Sequence, residues 1–526
     1  MDTSDSVTSN GAGASDDASF PYDEVEVIVS DLHLSAGKTL LVRVRHTWRF
    51  KVRRLVKMLR GLAEPPDVVE AENPLEDFLF DGEFVAFLDK IVESFGRARV
   101  LRLRLMGDCF DPLAVTWRGK MADPPFESVG AYKMRQIIRG HGRYFDALAA
   151  FVRLPNARLD VFVGNHDQFL CWTAVQRLLL RRVAGYDPVR RGRVRFIDQS
   201  VGFTDSHRGI EYYHGMNAEP HNVIDPRNAI LFERFGLRLK HPMLNKPLGS
   251  DMSVGLANRI KLQNSHVGRL RSEKEIWSYA AKFKWMWAVL AAFHLAAHLL
   301  SNQVSVLWDW RRKTGFLMLF RMMLDKLRES IAVVVSTTQR NPVDAYAERE
   351  MRRRPEVRLF VLGHSHSPRL VQGLGGSYLN TGTWSKKLRF VYPTFEYRWR
   401  HFRTVEVLWY SLRHFLSTGK FSYGRQLTKL IGFIGMAAAM SAFLLTSFAR
   451  NRFHVLWYDL LDFKLPVGIM LVFFVLGGIF RIFAVKPHEV DDTRLTFGLV
   501  RHGKDGSLCV DLKEYQPGTD SLRDYV

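Results

Sequence analysis

LDVFVGNHDQ, residues 159 to 168, is an apolar run of strand composition that stops on an asparagine, a histidine and an aspartate. A core strand needs no polar terminus, and Gly, Ser or Pro would turn the chain as well. Three polar side chains in succession at that point call for another explanation.

Four more stretches end the same way. EVEVIVSDLHL, from Glu24, alternates and then becomes fully apolar before exposing Asp31 and His33. VLRLRLMGD ends on Asp108, GIEYYHG on His214, and VRLFVLGHSH on His364 and His366. Between the first two, residues 75 to 95 place Phe78, Phe84, Phe87, Leu88, Ile91 and Val92 at helical spacing, which predicts a crossover helix, and a second helix is expected over 131–153. Strands alternating with helices predict an α/β fold, in which ligands gather beyond the carboxyl ends of the strands.

The polar residues at those ends are Asp31, His33, Asp108, Asn165, His214, His364 and His366. They are too many for one four-coordinate ion and suit two divalent ions sharing a carboxylate. His207 in TDSHRG competes with His214, but it falls in a hairpin turn.

The composition bounds the partners. The chain has 526 residues, 47% of them hydrophobic, and a net charge of +21, which suits nucleic acid, a phosphorylated substrate or an acidic membrane surface. Three scattered cysteines give neither a disulfide framework nor a cysteine zinc site.

Taken together, D-x-H (Asp31, His33), GD-x-x-D (Gly107, Asp108, Asp111), GNHD (164–167), HG (His214, Gly215) and GHSH (363–366) resemble the calcineurin-like metallophosphoesterases over about residues 24 to 400. The resemblance implies a four-layer αββα sandwich with two mixed sheets face to face. It also implies Asp31, His33 and His366 on one ion, Asn165, His214 and His364 on the other, and Asp108 bridging. Mn, Fe, Zn and Mg all remain open as the metals. His166 then acts on the phosphoryl oxygens or the leaving alkoxide, and Asp167 orients it. Asp111 either holds an outer hydrogen bond to a ligand or starts an Asp-Pro turn. The implied reaction is hydrolysis of a phosphoester or pyrophosphate bond in a small-molecule or lipid substrate. The DLHL, GNHD and HG pattern is also similar to the UDP-2,3-diacylglucosamine hydrolase branch.

Other signals carry less. SAGKTL (35–40) lacks the earlier glycine of a phosphate-binding loop. His294 and His298 have helical metal spacing without the glutamate of HExxH, and Cys109 beside Asp108 reads as a buried small residue. Arginine runs at 181–182, 190–191 and 352–354 read mainly as solvated faces. NTGTW (380–384) continues the fold, with Trp384 in the core.

The expected organisation is a disordered leader (1–23), the catalytic domain (24–410) carrying a helical cap insertion (222–350), a membrane hairpin (425–486) and a C-terminal tail (487–526). Residues 431–449 are uncharged and 465–485 carry only Arg481, so both approach the ~20 residues that span a bilayer. Buried helices of a bundle are the competing reading. With no signal-peptide pattern at the N-terminus, the expectation is a membrane-attached protein whose catalytic domain is cytoplasmic. The tail alternates around a KDG turn and predicts a small hairpin. Nucleic acid is the less expected partner, since no recognised binding motif accompanies the charge. The function alternatives are a nuclease or other phosphodiesterase, and a catalytically silent membrane-bound scaffold or sensor that binds metal.

Overall fold

The stretch EVEVIVS becomes fully apolar at Val27–Val29, where its strand is buried on both faces. Val25, Val27 and Val29 point into one hydrophobic layer and Ile28 into another. The computed structural model describes residues 20–43, 68–197, 203–205, 207–224, 228–234, 237–263, 342–373, 376–391 and 488–525, with positions 269 and 472.

In chain order the strands are β1 (Tyr22–Val29), β2 (Thr39–Arg43), β3 (Val68–Glu72), β4 (Val100–Leu105), β5 (Ala157–Phe162), β6 (Val194–Ile197), β7 (Phe203–Asp205), β8 (Ile210–Tyr212), β9 (Ile230–Arg234) and β10 (Leu237–Leu244). They continue with β11 (Leu359–Leu362), β12 (Arg369–Gly373), β13 (Gly376–Asn380), β14 (Leu388–Val391), β15 (His488–Asp491), β16 (Leu495–Gly503), β17 (Leu508–Gln516) and β18 (Ser521–Asp524). The helices are α1 (Asp81–Phe95), α2 (Glu127–Gly140), α3 (Gly142–Arg153), α4 (Thr173–Ala184), α5 (Pro188–Arg191), α6 (Leu248–Met252), α7 (Asn258–Gln263) and α8 (Pro342–Arg353).

The fold is α/β. A seven-stranded mixed sheet runs β18-β17-β16-β1-β4-β5-β6, with β1, β4, β5 and β6 parallel. A five-stranded sheet runs β12-β13-β11-β8-β7, with β8, β11 and β13 parallel. One face of the large sheet packs on α1 to α4 through Phe84, Phe87, Met134, Tyr144, Leu148 and Leu179. Its other face meets the smaller sheet through Ile28, Met106, Phe162, Ile210, Val361 and Leu379. The far side of the smaller sheet is covered by α8, whose Val343 and Ala347 pack on Phe360 and Leu362.

Three expectations change. The helix expected over 131–153 divides at His141, whose φ of −123° is not helical, into α2 and α3. The insertion begins with the antiparallel ribbon β9–β10, and its last described helix, α8, belongs to the layer under the smaller sheet. The tail is more than a hairpin, because β16 pairs with β1 and places β16 to β18 in the main sheet.

The chain divides into two units, Met1–Lys387 with Asp492–Val526, and Leu388–Asp491. In the second, β14 and β15 pair antiparallel. No helix among the described residues is long and apolar enough to cross a membrane. The proposed span 431–449, the span 465–485 apart from Val472, His294, His298 and most of the leader and cap lie outside the described residues.

Candidate metal centre

All five polar strand ends lie on one side of the two sheets, after β1, β4, β5, β8 and β11. The backbone there turns abruptly. Seven non-glycine residues among those described have positive φ, and five of them are Asp31, His33, Asp108, His364 and His366, at 51 to 67°. This left-handed conformation costs an L-residue about 1–2 kcal/mol, and such strain gathers at functional sites. The turns hold it through defined bonds: His33 N donates to Asp108 O at 2.9 Å, and His364 N to Asp31 Oδ2 at 2.9 Å.

Glycines give the turns room. A Cβ on Gly107, itself at φ 91°, would lie 2.7 Å from the His214 ring, and one on Gly164 would collide with the Asp108 carboxylate.

Two groups of three side chains bring their donor atoms together: Asp31, His33 and His366, and Asp108, His214 and His364. A third group, His33, Asp111 and His166, shares His33 with the first. Within the first, His366 Nε2 lies 3.3 Å from Asp31 Oδ1 and 3.1 Å from His33 Nε2. In the second, His214 Nε2 lies 3.1 Å from Asp108 Oδ2. Asn165 is buried, and its Oδ1 has no hydrogen-bond partner; the same holds for Asp31 Oδ1 and His214 Nε2. Buried polar atoms are almost always paired. Lone-pair atoms that crowd together without hydrogen-bonding are a donor set that fits a divalent cation.

Protonation follows the charges. Burial opposes the low pKa values of Asp31, Asp108 and Asp111, but His366, His214 and His166 respectively outweigh it and hold all three carboxyls below the usual range. Burial also disfavours charge on His214, yet Asp108 raises it to about 10. His366 falls to about 3 through burial and the Lys387 ammonium.

His166 and Asp167 separate in role. His166 Nδ1 lies 3.1 Å from Asp111 Oδ1, and the ring is 22% exposed, so it can be reached from outside. Burial works against its charge, but Asp111 and Asp108 raise its pKa to about 9. Asp167, expected to orient His166, instead turns inward, where its carboxylate accepts Gly164 N at 2.5 Å and Cys109 N at 3.0 Å. Burial and Asp108 push its pKa up to about 7. The carboxylate on His166 is therefore Asp111, which also accepts Ala114 N at 3.2 Å, so its turn-starting and side-chain roles coexist.

His207 is exposed in the turn between β7 and β8, outside these groups. Cys109 is fully buried, and burial with Asp167 nearby raises its thiol pKa well above the usual value, which disfavours a thiolate. Trp384 is buried against Phe84 and Phe87.

Sequence reasoning missed the residues behind the donors. His214 Nδ1 lies 2.9 Å from Met106 O, which directs Nε2 inward. His364 Nε2 contacts Glu219 Oε2 at 3.1 Å, and Lys387 Nζ contacts His366 Nδ1 at 3.0 Å. Thr383 Oγ1 donates to Asp31 O at 2.5 Å, and Asn380 Nδ2 to Gly363 O at 2.9 Å, so NTGTW braces two ligand turns. Glu219 follows His214 by five residues and had that much signal; Lys387 had none.

No family model matches the chain, and neither a curated protein nor a solved structure matches it.

Proposed function

We propose that this protein is a metal-dependent phosphoric ester hydrolase with two divalent ions, acting on a phosphoester or pyrophosphate in a small-molecule or lipid substrate. The observation that carries the reading is the pair of groups, each of one aspartate and two histidines, at the carboxyl ends of four strands, with Asn165 and the reachable His166 at the end of a fifth. Asp31, His33 and His366 would hold one ion, and Asn165, His214 and His364 the other, with Asp108 shared. Two such ions supply a water whose pKa is lowered towards neutrality, together with positive charge for the phosphoryl oxygens.

The chain's own residues do the rest. His166, with Nδ1 beside the Asp111 carboxylate, has Nε2 left for the phosphoryl oxygens or the leaving alkoxide, and that carboxylate favours the protonated ring. Asp167 fixes the turns that carry Asp108 and Asn165. Membrane attachment through 431–449 and 465–485, with the catalytic part on the cytoplasmic side, is a separate part of the proposal and rests on those sequences alone.

The test is hydrolysis of bis-p-nitrophenyl phosphate by the detergent-purified full chain with Mn²⁺, for wild type, Asp108→Ala and His166→Ala. Metal-dependent turnover abolished in the first variant and reduced by about 10²–10⁴ in the second is expected. Bound metal without turnover on any phosphoester favours the silent scaffold.

A further inference from the structure

Each half of the centre offers one aspartate and two histidines, with Asn165 added beside the second, and opposite charges stand behind their histidines. Behind His364 is the Glu219 carboxylate, 3.1 Å from Nε2, and Asn222 Nδ2 donates to the same Glu219 oxygen at 2.7 Å. Behind His214 is the Met106 carbonyl. Both partners accept a proton from the ring. They fix the tautomer, leave His364 Nδ1 and His214 Nε2 as the lone-pair nitrogens, and make each imidazole a stronger donor to a cation.

Behind His366 stands a cation. Lys387 Nζ is 3.0 Å from His366 Nδ1, in a cleft also lined by Thr383, Asp492, Arg494 and Thr496. An ammonium at that nitrogen can only donate to its lone pair, which puts the neutral ring's own proton on Nε2, the atom facing Asp31 and His33, so a cation there must displace that proton and also meets the ammonium's repulsion. Residues 492–496 come from the tail, so the C-terminal strands wall the weaker half of the site.

Resting on the dinuclear reading above, we propose that the two ion positions are unequal because of these outer residues. The Asp108, Asn165, His214 and His364 position, backed by Glu219, binds tightly and fills first. The Asp31, His33 and His366 position, backed by Lys387, is labile and exchanges with the surrounding divalent cation. Lys387 thereby sets the cation concentration at which the second ion enters, and a hydrolase needing both ions responds to metal supply through that position.

The experiment is calorimetric titration of Mn²⁺ into the metal-depleted full chain in detergent. Wild type should take up two ions in steps at least tenfold apart. Glu219→Gln should weaken the first step by about 10–100-fold, the usual effect of removing an outer partner of a metal-bound histidine. Lys387→Met should tighten the second step, and Lys387→Arg should leave it weak. A gain of affinity on removing a side chain is something a merely structural role would not give. The proposal is overturned if Lys387→Met binds the second ion no more tightly than wild type, or if Glu219→Gln leaves the first step unchanged. Wild type that binds no Mn²⁺ overturns the dinuclear reading itself, a result distinct from two ions with equal affinities.

Discussion

At the scale of single residues, five of the seven donors adopt a left-handed conformation that only Arg118 and Asp520 share among the other described non-glycine residues. His33 and His366 need positive φ to turn their rings back over the strand ends, and neighbouring glycines give the bends space. That bend is also why the two carboxylates near His166 change places relative to sequence order. Asp167, its chain neighbour, is carried inward to cap backbone N–H groups, while Asp111, 55 residues earlier, comes against the ring. Asp167→Ala leaves two buried N–H groups unsatisfied and should lower stability by about 2–5 kcal/mol, read from the denaturant midpoint at constant slope. Asp111→Ala should cost less stability and reduce kcat instead, because it frees the His166 ring. Equal losses of stability with unchanged kcat in the Asp111 variant would refute that division. The polar strand ends were legible because an apolar run that stops on Asp or His is locally odd. Glu219 had only its nearness to His214 to mark it and Lys387 had nothing, since a carboxylate or an ammonium in a loop reads the same in sequence whether or not a distant histidine folds against it.

Among the elements, the C-terminal strands and the loop before α1 bear loads that no local pattern announces. β16 lies beside β1 although more than 460 residues separate them, and its Phe497 is buried against the Phe87 ring at 4.9 Å. Trp384 Nε1 donates to Thr496 O at 2.8 Å, tying the turn after β13 to β16. Alternation around KDG revealed the β16–β17 hairpin but not its partner, since pairing across so long a gap has no sequence signature. Phe497→Ala should cost about 3–5 kcal/mol of stability, a core-strand penalty that an independent surface hairpin would not give. At the other edge, His141 joins α2 to α3 and lies 3.1 Å from both Glu76 and Asp81. Burial opposes its charge, but Asp81 and Glu76 raise the pKa from 6.5 to about 9. The folded state therefore holds a proton that the unfolded state releases, so this contribution is complete below pH 6.5 and is lost as pH rises through about 9. It is worth on the order of 3 kcal/mol at its fullest. Urea unfolding at pH 6, 8 and 10 should show that decline in wild type and a flatter profile in His141→Gln; parallel profiles would remove His141 as the cause.

On the scale of the whole molecule, the two sheets are joined by an apolar layer and by a charged cluster within the strands, while the donors lie beyond the carboxyl ends of the same strands. Arg104, 1% exposed, reaches Glu26 at 2.5 Å and Asp160 at 2.6 Å, and Tyr212 Oη of the smaller sheet donates to the same Glu26 carboxylate at 2.7 Å. Burial opposes both charges, yet the pairing holds Glu26 below and Arg104 above their ordinary pKa values. Removing one partner of such a cluster leaves the others charged in a dry interior and costs about 3–5 kcal/mol, whereas an apolar replacement of the whole cluster is often neutral. Glu26 precedes Asp31 by five residues of extended chain, roughly 16 Å at the rise of a strand. Stability and ion binding should therefore separate. Arg104→Ala should lower the denaturant midpoint strongly, while Glu26→Gln with Arg104→Met and Asp160→Asn should recover much of the loss. At temperatures where each variant is folded, Mn²⁺ affinity should stay at the wild-type value in both. A fall in Mn²⁺ affinity that tracks the loss of stability would mean that the two sheets transmit their packing to the strand ends, and that the donors depend on the interior charges as well as on their own turns.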